Sequence, residues 1–236
     1  MQSMVRSIIL RRVGYGEADW IVCFFSREHG RMSGIAKSAR ASQRRFGGAL
    51  EPGSLVDMRI NMRGSSHLVR LEEAAIIWPV NGVLKSLERI NAMQRALGLA
   101  LAFLQEGEAN PGKFDLLAAR IRSLCENEPI PHEAVAFELE WLARCGFGPT
   151  VSCCASCGRK ADSPGRWSFD FDRGGLVCAG CGNVTGLRAP LSDAALQGFM
   201  SVGDRLVAGE SEHAVAARAV LSRYIDHVLG RPLAVR

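Results

Sequence analysis

Apolar residues in the first 79 positions come in short runs broken by turn formers. Val5–Val13, Trp20–Phe25, Arg31–Lys37, Ser54–Met62 and His67–Ile77 are each rich in Val, Ile, Leu or aromatic residues. Gly14-Tyr15-Gly16, Glu28-His29-Gly30, Pro52-Gly53 and Arg63-Gly64-Ser65-Ser66 punctuate them. The pattern predicts five strands, a number that suits a small closed or partly open barrel with no long unpaired edge. Ser38–Gly48, SARASQRRFGG, has no apolar periodicity and is expected to form a mobile basic loop.

After Pro79 the period changes. Val83–Leu104, Lys113–Cys125 and Glu133–Cys145 repeat apolar residues at helical spacing. Asn110 is placed to cap the second helix with Pro111 at its first turn, Pro131 opens the third, and Gly146 can close it. Two more helices are expected over Ser192–Ala208 and Glu212–Leu229. The reading is therefore an α+β chain, with a barrel over residues 1–79 and an all-α domain over residues 80–236.

One segment interrupts the helices. Residues 152–187 are neither periodic nor apolar, yet they hold five of the eight cysteines. Cys154-Ala-Ser-Cys157 and Cys178-Ala-Gly-Cys181 form two C-x2-C knuckles twenty residues apart. Two such knuckles supply the four thiolates of a tetrahedral zinc, and four ligands leave no open position, so a structural ion is expected. Two redox-active pairs and a disulfide knot are the competing readings. Cys153 could replace Cys154 as a ligand, although Cys154 keeps the two knuckles alike. Gly158 and Gly182 follow the second cysteine of each knuckle and suit a tight turn. Arg159, Lys160, Arg166 and Arg173 are placed to moderate the negative charge of a four-thiolate ion. Cys23, Cys125 and Cys145 fall on apolar-periodic positions and read as core.

Charge adds a second feature. The chain carries 29 Lys+Arg against 24 Asp+Glu in 236 residues, net +5. Residues 1–79 hold 12 of these cations and 7 of the acids, so the whole excess lies in the barrel region. Within it Arg27, Arg31, Lys37, Arg40, Arg44 and Arg45 face only Glu28. Such a concentration suits a polyanion, most often nucleic acid; the bland alternative is a solvated loop. Phe46 and Tyr15 are candidates for base stacking or, equally, for packing, whereas Trp20, Phe24 and Phe25 read as core.

The rest narrows the chemistry. No apolar run approaches the ~18–20 residues of a membrane span, and the N-terminus lacks the pattern of a signal or transit peptide. A cytoplasmic, reducing location is expected. Gly107–Lys113 resembles a P-loop, but Phe114 stands where Ser or Thr is needed and Pro111 removes an amide donor. His132-Glu133 would open a metalloprotease helix, but Ala136 replaces the second histidine. No enzyme activity is expected.

In order, the chain has the opening strand Ser7–Arg12, Gly14-Tyr15-Gly16-Glu17-Ala18-Asp19, Phe25–Arg31, Ile35–Arg40, Phe46–Pro52, Gly146-Phe147-Gly148-Pro149, Cys154–Gly158 and Gly174–Cys178. This series resembles the RecO family of bacterial recombination mediators over nearly the whole chain. The resemblance implies an N-terminal OB-fold, a helical C-terminal domain and a zinc module. It also implies binding and annealing of single-stranded DNA in recombinational DNA repair near the nucleoid. The implied partners are RecR and the acidic tail of single-stranded-DNA-binding protein, and indirectly RecA, which the family helps to load. For that tail, Arg144 near Trp141, or Arg120 or Arg122, are the arginines considered. An RNA-binding or protein-interaction module on the same barrel is the alternative.

Overall fold

The computed structural model describes residues 2–62, 68–162, 165–182, 186–201 and 211–234. The expected turn Arg63-Gly64-Ser65-Ser66, His67 and the part of the Ser192–Ala208 helix beyond Ser201 lie outside them. Two compact units result, one reaching to Glu128 and one covering Pro129–Ala234.

The first unit starts with a closed barrel of β1 (Gln2–Tyr15), β2 (Asp19–Ser26), β3 (Gly30–Ala36), β4 (Leu55–Asn61) and β5 (Leu68–Trp78). The strand order is β1-β2-β3-β5-β4, with β3 and β5 parallel and the other pairs antiparallel. This is the OB-fold. Alternation sends Val22, Phe24, Val56, Met58 and Ile60 into the barrel core. Fully burying one such side chain contributes about 1.5–3 kcal/mol. The run Ile8-Ile9-Leu10 does not alternate because both faces of β1 are covered. Ile9 points into the barrel core, while Ile8 lines a cleft with Leu55, Trp78 and, from the helices, Ala118, Ile121 and Arg122.

Two helices complete this unit, α2 (Leu87–Phe103) and α3 (Pro111–Glu126). The apolar run from Val83 to Leu104 is not one helix. Asn81–Lys85 forms a 3-10 turn, and Ser86 then takes an extended conformation and accepts from the Arg89 amide as the cap of α2. At α3 the Asn110 side chain accepts from Lys113 N at 2.9 Å with Pro111 in the first turn, the expected cap. Phe25 and Phe114 meet at 5.6 Å between ring centroids, so the outer face of β2 is covered by α3.

The segment expected to be a mobile loop is built differently. Gln43–Phe46 forms a one-turn helix, α1, closed by Gly47. Ala39, Phe46, Ala49 and Leu50 are buried in the barrel core. The segment is a lid whose apolar residues plug the barrel. It shows no period because these residues serve a mouth rather than a helix or strand face.

The second unit contains α4 (Pro131–Arg144), β6 (Trp167–Asp170), β7 (Gly175–Cys178), β8 (Arg188–Pro190), α5 (Asp193–Met200) and α6 (Ser211–Leu229). The sheet order β7-β6-β8 was not evident from composition. Its strands are only three or four residues long, too short to display a period. Phe169 joins them to the helices, with ring centroids 5.3 Å from Phe171 and Tyr224 and 6.1 Å from Phe199. Tyr224 donates to the Phe147 carbonyl at 3.1 Å, which ties the Gly146-Phe147-Gly148 turn to α6. Buried Glu138 of α4 accepts from Arg218 of α6 at 3.2 Å.

Candidate nucleic-acid interface and metal centre

The six candidate cations do not form one cluster. Arg27 makes a two-pronged pair with Asp115 of α3 at 3.1 and 3.0 Å. Arg31 donates to the Leu101 carbonyl at 3.0 Å, in the last turn of α2, where backbone acceptors lack helical partners. Beside it the backbone of Glu106–Gly107 bridges to Arg31, with Gly107 N donating to Arg31 O at 3.0 Å. These two arginines face the helices.

The other four gather at the barrel mouth. Lys37 pairs with Asp19 at 2.8 Å, and Lys37 followed by the amide of Ser38 holds the Asp19 carboxyl below the usual carboxylate range. Arg40 bonds through its amide to Ala18 O and through its guanidinium to Glu17 O, fastening the lid to the β1–β2 turn. Arg45 bonds Ser42 and the Lys37 carbonyl and lies over the Phe46 ring. Arg44 is exposed on α1. Among the described residues, Arg40, Arg44 and Arg45 have no carboxylate partner. Arg6, Arg59 and Arg70, elsewhere on the barrel, are each paired with an acid, as is Arg12 near the mouth.

Of the two aromatic candidates, Phe46 is 3% exposed and belongs to the barrel core, so packing is its role. Tyr15 is 53% exposed at the end of β1. Phe24 and Phe25 are fully buried as expected. Trp20 is only partly buried, and the guanidinium carbons of both Arg12 and Arg40 lie 4.7 Å from its ring centroid. Sequence reasoning took Trp20 for core and passed over Arg12, since nothing local marks either as part of a cationic surface.

The metal site is unambiguous in its residues. The sulfurs of Cys154, Cys157, Cys178 and Cys181 all lie within 4.8 Å of one another. Cys157 and Cys178 are 3.8 Å apart, the edge of a tetrahedron with metal–sulfur bonds of about 2.3 Å and far beyond a disulfide bond of about 2.05 Å. Cys154 is the member of this cluster, whereas Cys153 lies outside it and makes a backbone bridge to Lys160. Burial opposes ionisation of Cys154, but the amides of Cys178, Cys157 and Ser156 outweigh it and bring the thiol down to about 6. Hydrogen bonds with Cys157 and Cys178 push Cys181 up to about 12.

The knuckles differ in backbone. Gly158 has φ +74°, the left-handed turn expected, whereas Gly182 is right-handed at −73°, so its position does not require glycine. Buried Asp170 anchors the module: it accepts from Arg173 N at 3.0 Å and Arg188 Nε at 2.9 Å. Arg173 also reaches the Ser156 hydroxyl beside the first knuckle.

The arginines considered for an acidic tail separate as well. Trp141 is fully buried and Arg144 is bonded to Glu140, so that pair offers no apolar surface. Arg120 is 7% exposed. Arg122 lies 4.8 Å over the Trp78 ring, beside the cleft lined by Ile8 and Leu55.

Comparison with known proteins agrees with this architecture. Residues 1–80 match the family profile described as Recombination protein O N terminal, and residues 84–236 match Recombination protein O C terminal. The chain is 33% identical over 241 residues to a DNA repair protein RecO of Anaeromyxobacter dehalogenans, covering 100% of this chain and 94% of the relative. It is 35% identical over 231 residues to a DNA repair protein RecO of Myxococcus xanthus, covering 96% and 92%. Two family profiles that together span nearly the whole chain, and relatives 33% and 35% identical to it, place this chain, with its closed five-stranded barrel, in the RecO family of DNA repair proteins.

Proposed function

We propose that this chain binds single-stranded DNA at the lid-bearing mouth of its barrel and anneals complementary strands. In this reading it acts with RecR on strands coated by single-stranded-DNA-binding protein and so helps to load RecA in the cytoplasm. The observation that carries the reading is the gathering of Lys37, Arg40, Arg44 and Arg45 on one lid, three of them without a carboxylate partner among the described residues. OB-folds hold single strands by tracking phosphates with cations and stacking bases on planar groups. Annealing then needs no covalent chemistry, because two strands held on one cationic surface repel each other less.

The four-thiolate site suits zinc, which favours tetrahedral sulfur ligation. Cys154, Cys157, Cys178 and Cys181 would hold it. When bound, it supplies a cross-link that fixes both knuckles against the short sheet. For a protein partner with an acidic, apolar tail, Arg122 beside the Trp78 cleft is the candidate contact.

The test is fluorescence anisotropy of a labelled single-stranded oligonucleotide across a salt series. Wild type is compared with the variant carrying Lys37→Ala, Arg40→Ala, Arg44→Ala and Arg45→Ala. Each phosphate contact contributes roughly −0.7 to the log–log salt slope, so three or four lid cations account for about −2 to −3. The reading requires that the variant lose affinity and most of that slope. Equal binding by the variant, no binding by wild type, or preference for RNA in competition would defeat it. Mixing complementary strands with the protein tests annealing directly.

A further inference from the structure

Arg40 is placed differently from the other lid cations. Its guanidinium carbon sits 4.7 Å from the Trp20 ring centroid. The group occupies the space above Gly14, the residue paired with Trp20 across the β1–β2 ladder. A side-chain carbon at Gly14 would fall 1.9 Å from Arg40 Nη2. Gly14 has no positive φ, so its lack of a side chain serves this contact rather than a turn. Strand β1 pairs with β4 only from Gln2 to Ile8, so beyond that point the far side of β1 carries no strand. Arg40 itself is exposed. The guanidinium is thus packed at an indole and belongs to an exposed residue.

We infer that Arg40, packed over Trp20 in the space above Gly14, is a stacking surface for a nucleobase rather than a simple phosphate contact. The inference rests on the proposed single-strand binding and assigns one lid residue a base-contacting role. A guanidinium plane stacks on bases as aromatic rings do, and one already supported by an indole needs little further ordering to do so. Arg12, the second guanidinium at the same indole, is drawn to Glu51 at 2.7 Å. Among the described residues the Arg40 side chain hydrogen-bonds the Glu17 carbonyl alone, at 3.3 Å. Tyr15 is exposed too, but it follows Gly14 in the strand and so leans to the opposite side.

The stacking role and the phosphate role differ in their response to bases. Binding of two equally long labelled oligonucleotides, one normal and one abasic throughout, is measured for wild type, Arg40→Lys and Gly14→Ala. Arg40→Lys keeps the charge but loses the plane; Gly14→Ala keeps Arg40 and displaces it from the indole. Both variants are expected to weaken binding to the normal strand about fivefold or more, with the salt slope unchanged. On the abasic strand both should match wild type. An equal loss on both strands would assign Arg40 to phosphate and overturn the inference, as would no loss on either. Absence of wild-type binding to the normal strand would remove the parent reading instead, and the inference with it.

Discussion

The guanidinium of Arg31 donates to the carbonyl of Leu101, 3.0 Å away and 70 positions further along the chain. One of the most prominent cations of the basic segment is thereby committed to the end of a helix. Arg31→Ala is expected to leave that carbonyl without its donor and cost about 1–3 kcal/mol of stability in urea unfolding. The salt slope of single-strand binding should stay unchanged. Arg27→Ala, which breaks an exposed pair with Asp115, should change stability little. Arg44→Ala should behave oppositely to Arg31→Ala, lowering the slope by about 0.7 with no loss of stability.

Phe46 separates packing from stacking. As the buried plug of the barrel, Phe46→Ala should cost about 3–5 kcal/mol. Phe46→Leu, which keeps most of the apolar volume, should retain most of the stability and the full affinity for single strands. Loss of affinity in a stably folded Phe46→Leu protein would return Phe46 to the binding surface.

The two adjacent cysteines give a clean contrast. Cys153→Ser should purify with the same metal content as wild type by elemental analysis, because that residue stands outside the sulfur cluster. Cys154→Ser should lose the metal. Stripping wild type with a chelator should lower the unfolding temperature of the unit that starts at Pro129, since structural metal binding is coupled to folding.

Asp170 makes part of the stability pH-dependent. Burial favours its neutral form, but the Arg173 amide and the Arg188 guanidinium prevail and hold its carboxyl below the usual range. A lowered folded value means the contribution is complete above the ordinary aspartate range, near pH 4, and is lost as pH falls through the lower folded value. Thermal unfolding between pH 2 and pH 7 should show this loss. Asp170→Asn should flatten that part of the profile and cost about 3 kcal/mol at pH 7 by leaving Arg188 without its charge partner.

Local features of the chain were enough for much of this picture. The five barrel strands follow from short apolar runs between turn residues, because a barrel wall must alternate between a core face and an outer face. The cysteine pairs follow from covalent spacing: two residues between cysteines let both sulfurs turn to one point. Asn110 and Pro111 announce a helix start because capping is satisfied within one turn. In each case the signal that marks the residue lies within a few positions of it.

Tertiary structure decided the rest, for the complementary reason. Arg27 and Arg31 carry the same charge as Arg40 and Arg44, and only the packing of α2 and α3 on the barrel assigns the first two to Asp115 and Leu101. Phe46 looks like an exposed loop aromatic until the barrel closes and needs a plug. Gly14 looks like a turn glycine until Arg40 is seen above it. Composition and period record how often a residue is buried and what it carries. Which partner it meets, 26 or 88 positions away, depends on the closed fold.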